Sequence, residues 1–344
     1  MEFGILDHLT ECGVEAEVLG SEGAVHCYGC TDEEQLPDDI SELTVVQMWH
    51  GITITAKTLR RLESCRAIVR VGVGYDNVDY AYAGGLGIPV VNVPDYGTDV
   101  VADHTMALLL ALSRQLERYN EAIRRDPVKG WYHRAGGRLY RLTGATLGIV
   151  GLGRIGTAVG LRARAFGMQV AFYDPYLPDG YEKTYQMERF DELRELVQKS
   201  DYLSLHAPLT AETEGMIGED VLKHCKRGMT LINTARGGIV SSDAVYEALV
   251  EGRVRAYGAD VLATEPPDPK DPLIEAFVNG EPWLDGRVLL TPHAAFYTEE
   301  SRREMRVKAA QQMMRAAQGV PLRNCVNAEY LVRPRTPIFE AKHR

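Results

Sequence analysis

The stretch Leu147-Gly148-Ile149-Val150-Gly151-Leu152-Gly153-Arg154-Ile155-Gly156 couples an aliphatic run to a glycine turn, and residues 157–166 continue with helical spacing. A strand passing through G-x-G-x-x-G into a helix is the signature of a dinucleotide-binding unit. The glycines permit a tight turn, close approach of a pyrophosphate and tight packing of helix on strand. The helix N-terminus, at Arg154 and Ile155, turns its N–H groups and positive potential toward the phosphates. The next strand, 169–173, is followed by Asp174, 18 residues beyond Gly156, the spacing of the carboxylate that accepts the ribose hydroxyls. A carboxylate there repels a 2′-phosphate, and Pro175-Tyr176 bring no arginine to compensate, so the residues point to NAD.

Outward from this unit, short apolar runs alternate with amphipathic segments. Residues 202–206, 230–233, 256–261 and 288–291 read as further strands, while Phe190, Leu193, Leu196 and Val197 recur at helical spacing and Ser241-Ser242-Asp243 signals a helix start. Strict alternation predicts an α/β protein with a doubly wound parallel sheet, here of the Rossmann kind. The first hundred residues repeat the style more weakly, with strands at 44–48, 67–71 and 90–93 and helices at 55–63 and 79–85. One long helix is predicted over 99–125, followed by an irregular Gly-, Arg- and Tyr-rich stretch at 129–141 that is either a subunit-embracing arm or a plain surface loop. Its aromatic and arginine content suits an interface core, so a homodimer is the expectation. Residues 331–344 hold two prolines and mixed charge and are predicted to fray.

With 344 residues the chain exceeds a typical domain of about 150, so two domains are expected. A composition of 45% hydrophobic and 25% charged residues is that of an ordinary soluble protein. The net charge of −10 argues against nucleic acid and anionic lipid as partners. The longest aliphatic run, 106–112, is far short of the roughly 20 residues that cross a bilayer, and the first residues form no basic-then-apolar leader, so a cytoplasmic location is expected. Six scattered cysteines suggest reduced thiols. His26, Cys27 and Cys30 have no second ligand pair at matching spacing, so no metal is expected.

Three more residues follow predicted strands, where open parallel sheets collect ligands. Arg236 lies in Asn233-Thr234-Ala235-Arg236-Gly237-Gly238, Glu265 in Thr264-Glu265-Pro266-Pro267, and His293 in Thr291-Pro292-His293-Ala294-Ala295. A proton donor that works at neutral pH, a carboxylate to orient it and a guanidinium to grip a planar carboxylate are what ketone reduction by hydride requires. An earlier turn, Gly72-Val73-Gly74, lacks a third glycine. Its N–H groups at Val73 and Gly74 suit a small carboxylate better than a dinucleotide, although Asp95 lies at a distance suitable for a ribose.

In combination, the run Val69-Arg70-Val71-Gly72-Val73-Gly74-Tyr75-Asp76-Asn77-Val78-Asp79, the cofactor glycines, Tyr173-Asp174-Pro175-Tyr176-Leu177, Ala235-Arg236-Gly237-Gly238 and Thr291-Pro292-His293 resemble the D-isomer-specific 2-hydroxyacid dehydrogenases over about 45–330. Met48-Trp49-His50 and Ala295-Phe296-Tyr297 resemble the C-terminal-binding protein branch of that family, which typically has tryptophan where this chain has Phe296. These aromatics read either as pocket lining, with Trp49, His50 and Phe296 touching substrate, or as ordinary packing.

The resemblance implies that Arg236 binds the substrate carboxylate and carbonyl, that His293 is the acid/base and that Glu265 raises its proton affinity. It implies NAD contacts at Thr105, His206, Ala207, Pro208, Thr213, Thr234, Ala235 and Asp260. It also implies a discontinuous, flavodoxin-like substrate domain over 1–101 plus 298–330, with a returning helix within 299–318, around a Rossmann NAD-binding domain over 102–297. The activity so implied is reduction of a small 2-oxo acid to the D-2-hydroxy acid, or the reverse. A dinucleotide-sensing corepressor or scaffold with little turnover is the alternative. Phosphoglycerate dehydrogenase shares the core, but Trp49 and His50 offer aromatics where a phosphate wants cations.

Overall fold

Aliphatic runs buried on both faces set the architecture, as parallel strands require. The first unit opens with β1 (Glu2–Asp7), α1 (Gly13–Leu19), β2 (Ala24–Cys30), β3 (Val45–Met48), α2 (Ala56–Arg61), β4 (Ala67–Arg70), α3 (Tyr80–Gly85) and β5 (Val90–Asn92). Its sheet is parallel throughout, in the order β2-β1-β3-β4-β5, which is the flavodoxin-like order. Every residue of β3 and β4 is buried.

The second unit comprises α4 (Thr98–Arg114), α5 (Leu116–Arg125), β6 (Thr146–Val150), α6 (Arg154–Ala165), β7 (Gln169–Tyr173), α7 (Tyr181–Tyr185), β8 (Glu188–Arg189), α8 (Leu193–Lys199), β9 (Tyr202–Leu205), α9 (Glu219–Leu222), β10 (Met229–Asn233), α10 (Ser242–Val250), β11 (Val254–Ala259), α11 (Pro272–Val278) and β12 (Val288–Leu290). The chain then returns as α12 (Glu299–Ala317) to complete the first unit. The structure is a computed structural model that describes residues 1–339, and it divides into Met1–Gly97 with the segment from Tyr297 onward, and Thr98–Phe296. The first boundary falls four residues before the expected 101, because Thr98 already opens α4.

In the second unit the sheet order is β12-β11-β10-β9-β6-β7-β8, all parallel. The chain runs outward from β6 through β7 to β8, then continues at β9 on the other side of β6. That reversal beside β6 is the switch point at which such sheets bind ligands, outside the carboxyl ends of the strands. Helices cover both faces. Leu108, Leu109 and Leu112 of α4 and Val159 and Ala163 of α6 pack with Ile149, Phe172 and Ile232, while Leu196, Val197, Val245 and Leu249 pack with Leu203, Leu205 and Leu231. Phe172 alone, with no exposed surface, contributes about 1.5–3 kcal/mol of apolar burial.

The single helix expected over 99–125 is two. Gln115 takes φ 53° between α4 and α5, and its Nε2 donates to Leu112 O at 2.9 Å and Gly286 O at 2.7 Å. The side chain thus satisfies a carbonyl at the end of α4 and ties the break to the loop before β12. Within its own unit α5 buries no residue. The stretch 129–141 carries one short 3-10 turn, His133–Gly136, and Trp131 is 78% exposed.

The described part of the tail expected to fray, 331–339, makes contacts with the first unit. Arg335 donates to Glu63 O at 2.9 Å and Cys65 O at 2.8 Å, and buried Thr336 donates to Arg66 O at 3.0 Å. A guanidinium placed against backbone carbonyls that lie beyond a helix end holds the segment where prolines and mixed charge suggested a loose one. Residues 340–344 of that expected tail lie outside the described residues. Among the described residues no helix is long and apolar enough to cross a membrane.

Candidate active site

At the end of β6 the backbone of Gly151 takes φ 88°, and a Cβ there would stand 2.8 Å from Ala207 N and 2.9 Å from His206 C. Only glycine lets this turn lie against the chain leaving β9. Gly153 is the N-cap of α6, and the helix ladder begins with Thr157 N–H to Gly153 O at 2.9 Å. The amides at Arg154, Ile155 and Gly156 therefore belong to the first turn, whose N–H groups have no partner in the helix itself and can hold an anion. The half-buried Asp174 follows β7 and meets the glycine turn: its Oδ2 accepts from Leu152 N at 2.9 Å and its Oδ1 from Tyr176 N at 3.1 Å. A cradle that a methyl group would fill, first-turn amides and a carboxylate beside them fit the pyrophosphate and ribose of NAD.

The loop after β9 lies against this turn. His206 Nε2 is 2.8 Å from Ser204 Oγ, and burial pushes its imidazole down to about 3, so the ring is neutral at physiological pH. Thr213 Oγ1 closes the loop by donating to Pro208 O at 2.6 Å. His206, Ala207, Pro208 and Thr213 thus share one loop beside the cofactor glycines.

Beyond β10, Asn233 folds the next residues into a fixed bend. Its Oδ1 accepts from Ala235 N at 3.0 Å and its Nδ2 donates to Arg236 O at 2.9 Å. Thr234 Oγ1 is 2.8 Å from Thr105 Oγ1, and Thr105 has no exposed surface. Gly237 is needed for space. A Cβ there would stand 1.9 Å from the carbonyl carbon of Leu262, in the loop that leads to Glu265.

Asp260, 2% exposed, organises the turn that carries His293. Its Oδ1 accepts from Thr291 Oγ1 at 2.6 Å and Ala294 N at 2.8 Å, and its Oδ2 from Ala295 N at 2.9 Å. Its own carbonyl accepts from His293 N at 2.7 Å, which holds His293 at φ 51°. A left-handed non-glycine residue costs energy, and the Asp260 bonds supply what holds it there. His293 Nδ1 meets Glu265 Oε2 at 2.7 Å, and Glu265 Oε1 accepts from Leu262 N at 3.0 Å. Burial raises the Glu265 carboxyl, but the hydrogen bond and charge of His293, the Leu262 amide and the charge of Arg236 outweigh it, so the group lies below the ordinary carboxylate range. The Phe296 ring stands edge-on to His293 with centroids 6.3 Å apart.

The second unit therefore contains Arg236, Glu265, His293, Phe296 and the residues expected to contact the cofactor. Trp49, His50, Val73 and Gly74 belong to the first unit, just beyond the carboxyl ends of β3 and β4. Trp49, read as a possible pocket wall, is 1% exposed and stacks on His8 at 4.7 Å, so it packs inside that unit. Its backbone N–H donates to Asp7 Oδ1 at 2.6 Å. His50 is exposed, and Val73 O accepts from Asn92 Nδ2 at 2.6 Å. The sequence reading missed His104 and Thr291, whose side chains meet at 2.9 Å across 187 positions. The one available signal was the position of Thr291 two residues before His293.

Residues 106–295 match the family model described as D-isomer specific 2-hydroxyacid dehydrogenase, NAD binding domain. The chain is 35% identical over 323 residues to a D-3-phosphoglycerate dehydrogenase of Methanocaldococcus jannaschii, covering 94% of this chain and 59% of that protein. It is 34% identical over 341 residues to C-terminal-binding protein 1 of Caenorhabditis elegans, covering 95% of this chain and 45% of that protein. The chain thus spans about half the length of these curated relatives. Among solved structures, D-lactate dehydrogenase from Aquifex aeolicus complexed with NAD and lactic acid superposes with a TM-score of 0.80 at 27% identity, covering 96% of this chain and 97% of that one.

Proposed function

From the premise that the chain belongs to the D-isomer specific 2-hydroxyacid dehydrogenase family, we propose that it interconverts a small 2-oxo acid and the D-2-hydroxy acid with NAD. The observation that carries this reading is the 2.7 Å contact between Glu265 and His293 in the same unit as Arg236 and the glycine turn. Gly151, Gly153, Arg154, Ile155, Gly156 and Asp174 would hold the cofactor. When bound, NAD supplies or accepts the hydride.

In this reading Arg236 grips the planar carboxylate of the substrate with its two-pronged guanidinium and so fixes which carbonyl face is presented. With Nδ1 turned to Glu265, the Nε2 of His293 is the nitrogen that passes a proton to the developing alkoxide in reduction and takes it back in oxidation. Glu265, ionised through the neutral range, supports the imidazolium by opposite charge. The test is a panel of 2-oxo acids with NADH, followed by loss of nicotinamide absorbance. NADH should outperform NADPH, and Asp174→Ala should narrow the gap by admitting a 2′-phosphate. No turnover with any acid overturns the reading and favours the scaffold alternative.

The pH dependence follows from the sign of the Glu265 shift. A depressed carboxyl is ionised above its ordinary range, and its support is lost only as pH falls through the lowered value. Glu265→Gln removes that charge at every pH while keeping shape. Reduction requires the imidazolium, so the alkaline limb of the rate profile should move to lower pH in the variant. An unmoved limb would make Glu265 structural only.

We also propose a symmetric dimer, with a second copy covering α5 and the stretch 129–141. The support is that α5 buries nothing within its own unit and that Val128 and Trp131 are 84% and 78% exposed. A dimer mass at micromolar concentration is expected, with Trp131→Glu shifting it toward monomer. A monomer in the parent protein contradicts the proposal. The cytoplasm is the expected location.

A further inference from the structure

Two neighbouring residues of α4 reach the loops that carry His293 and Arg236. His104 Nε2 lies 2.9 Å from Thr291 Oγ1, and Thr291 Oγ1 donates to Asp260 Oδ1 at 2.6 Å. Thr291 gives its one hydroxyl hydrogen to Asp260, so toward His104 the Thr291 Oγ1 accepts. His104 therefore carries its hydrogen on Nε2. The same Asp260 carboxylate holds the amides of Ala294 and Ala295, and its backbone carbonyl holds that of His293.

One residue further, Thr105 Oγ1 donates to Val101 O at 2.8 Å, which commits its only hydroxyl hydrogen. Toward Thr234 Oγ1, also at 2.8 Å, it accepts. Thr234 begins the bend that Asn233 pins as far as Arg236. Both bonds are fixed at their α4 end, because Val101, Ala102, Met106, Leu108 and Leu109 around them are buried.

We propose that His104 and Thr105 are positioning residues: α4 braces His293 through Thr291 and Asp260, and braces Arg236 through Thr234. The kinetic consequences rest on the dehydrogenase reading, but the brace itself does not. Catalytic groups must be held within about 0.5 Å of their working geometry, and two loops hung from adjacent residues of one helix keep a common reference.

The test compares the NADH-bound parent with His104→Phe, His104→Gln and Thr105→Val. Two readouts are used: amide hydrogen exchange at Ala294 and Ala295, and steady-state reduction of the preferred 2-oxo acid. Phenylalanine keeps bulk but donates nothing. It should speed exchange at both amides and lower kcat, each by about tenfold, the size of one hydrogen bond, with KM little changed. The side-chain amide of glutamine extends a donor to a similar reach and should restore both. Thr105→Val, nearly isosteric, should raise KM for the oxo acid by about tenfold with a smaller effect on kcat, because Arg236 is the group released.

Parent-like exchange and kcat in His104→Phe overturn the proposal, as does a glutamine variant no better than phenylalanine. Should the parent reduce no 2-oxo acid, the dehydrogenase reading falls, and the exchange comparison alone upholds or overturns the brace.

Discussion

His293→Ala is expected to lower the turnover of 2-oxo acid reduction by roughly 10²- to 10⁴-fold while leaving NADH affinity nearly unchanged. The two effects separate because of what the truncation leaves in place. The backbone N–H of residue 293 still donates to Asp260 O, and the amides of Ala294 and Ala295 still meet the Asp260 carboxylate. Alanine at φ 51° carries about the same left-handed strain of about 1–2 kcal/mol that His293 carries, which the three bonds to Asp260 hold. The glycine turn and Asp174 make their contacts on other loops, so a fluorescence titration with NADH should give a near-parent Kd. Turnover within threefold of the parent would remove His293 from the acid/base role.

The second large effect is expected from a residue with no side chain at all. Gly237→Ala sets a methyl group 1.9 Å from the carbonyl carbon of Leu262, a collision of backbone with backbone that no rotamer relieves. Either the Arg236 bend or the loop from Leu262 to Glu265 must move. Leu262 N donates to Glu265 Oε1, so displacing it also displaces the carboxylate that holds His293. A misplacement of about 1 Å costs on the order of 10²-fold in rate, and overpacking costs about 1–3 kcal/mol in stability. The measurement is kcat/KM together with the thermal midpoint. A variant that keeps parent kcat/KM would show that the two loops do not need their close approach.

The Rossmann unit was legible in the residues because its signals are local. The strand predicted at 169–173 is β7 residue for residue, and the glycine turn stands where the sequence places it, since glycine positions and apolar runs act within a few residues. The first unit was less legible. The strand β2, at one edge of its sheet, is half-exposed, so Ala24–Cys30 shows no continuous apolar run, and β1 is interrupted by Gly4 and ends on Asp7. The break at Gln115 is marked by neither glycine nor proline. It depends on a contact with Gly286, 171 positions away. The same limit applies to the site. Residues following strands stood out as candidates, whereas the link from His104 through Thr291 to Asp260 has no pattern along the chain, because hydrogen bonds between distant segments leave no periodicity.

The first unit is assembled from both sides of an inserted one, and this bears on the order of events during synthesis. The helix α12 packs on α1, β3 and β4, burying Met305, Ala309, Ala310 and Met313, and its Arg306 Nε donates to the buried Glu15 at 2.8 Å. Ribosomes add about 5–20 residues per second, so the roughly 200 residues between Gly97 and Tyr297 take roughly 10–40 s to emerge. Throughout that interval the nascent five-stranded sheet has an uncovered apolar face and the Glu15 carboxylate lacks its guanidinium. Thr98–Phe296, contiguous in the chain, has every element it needs before α12 leaves the exit tunnel. The unit whose strands emerge before Thr98 is therefore completed only after the one inserted into it.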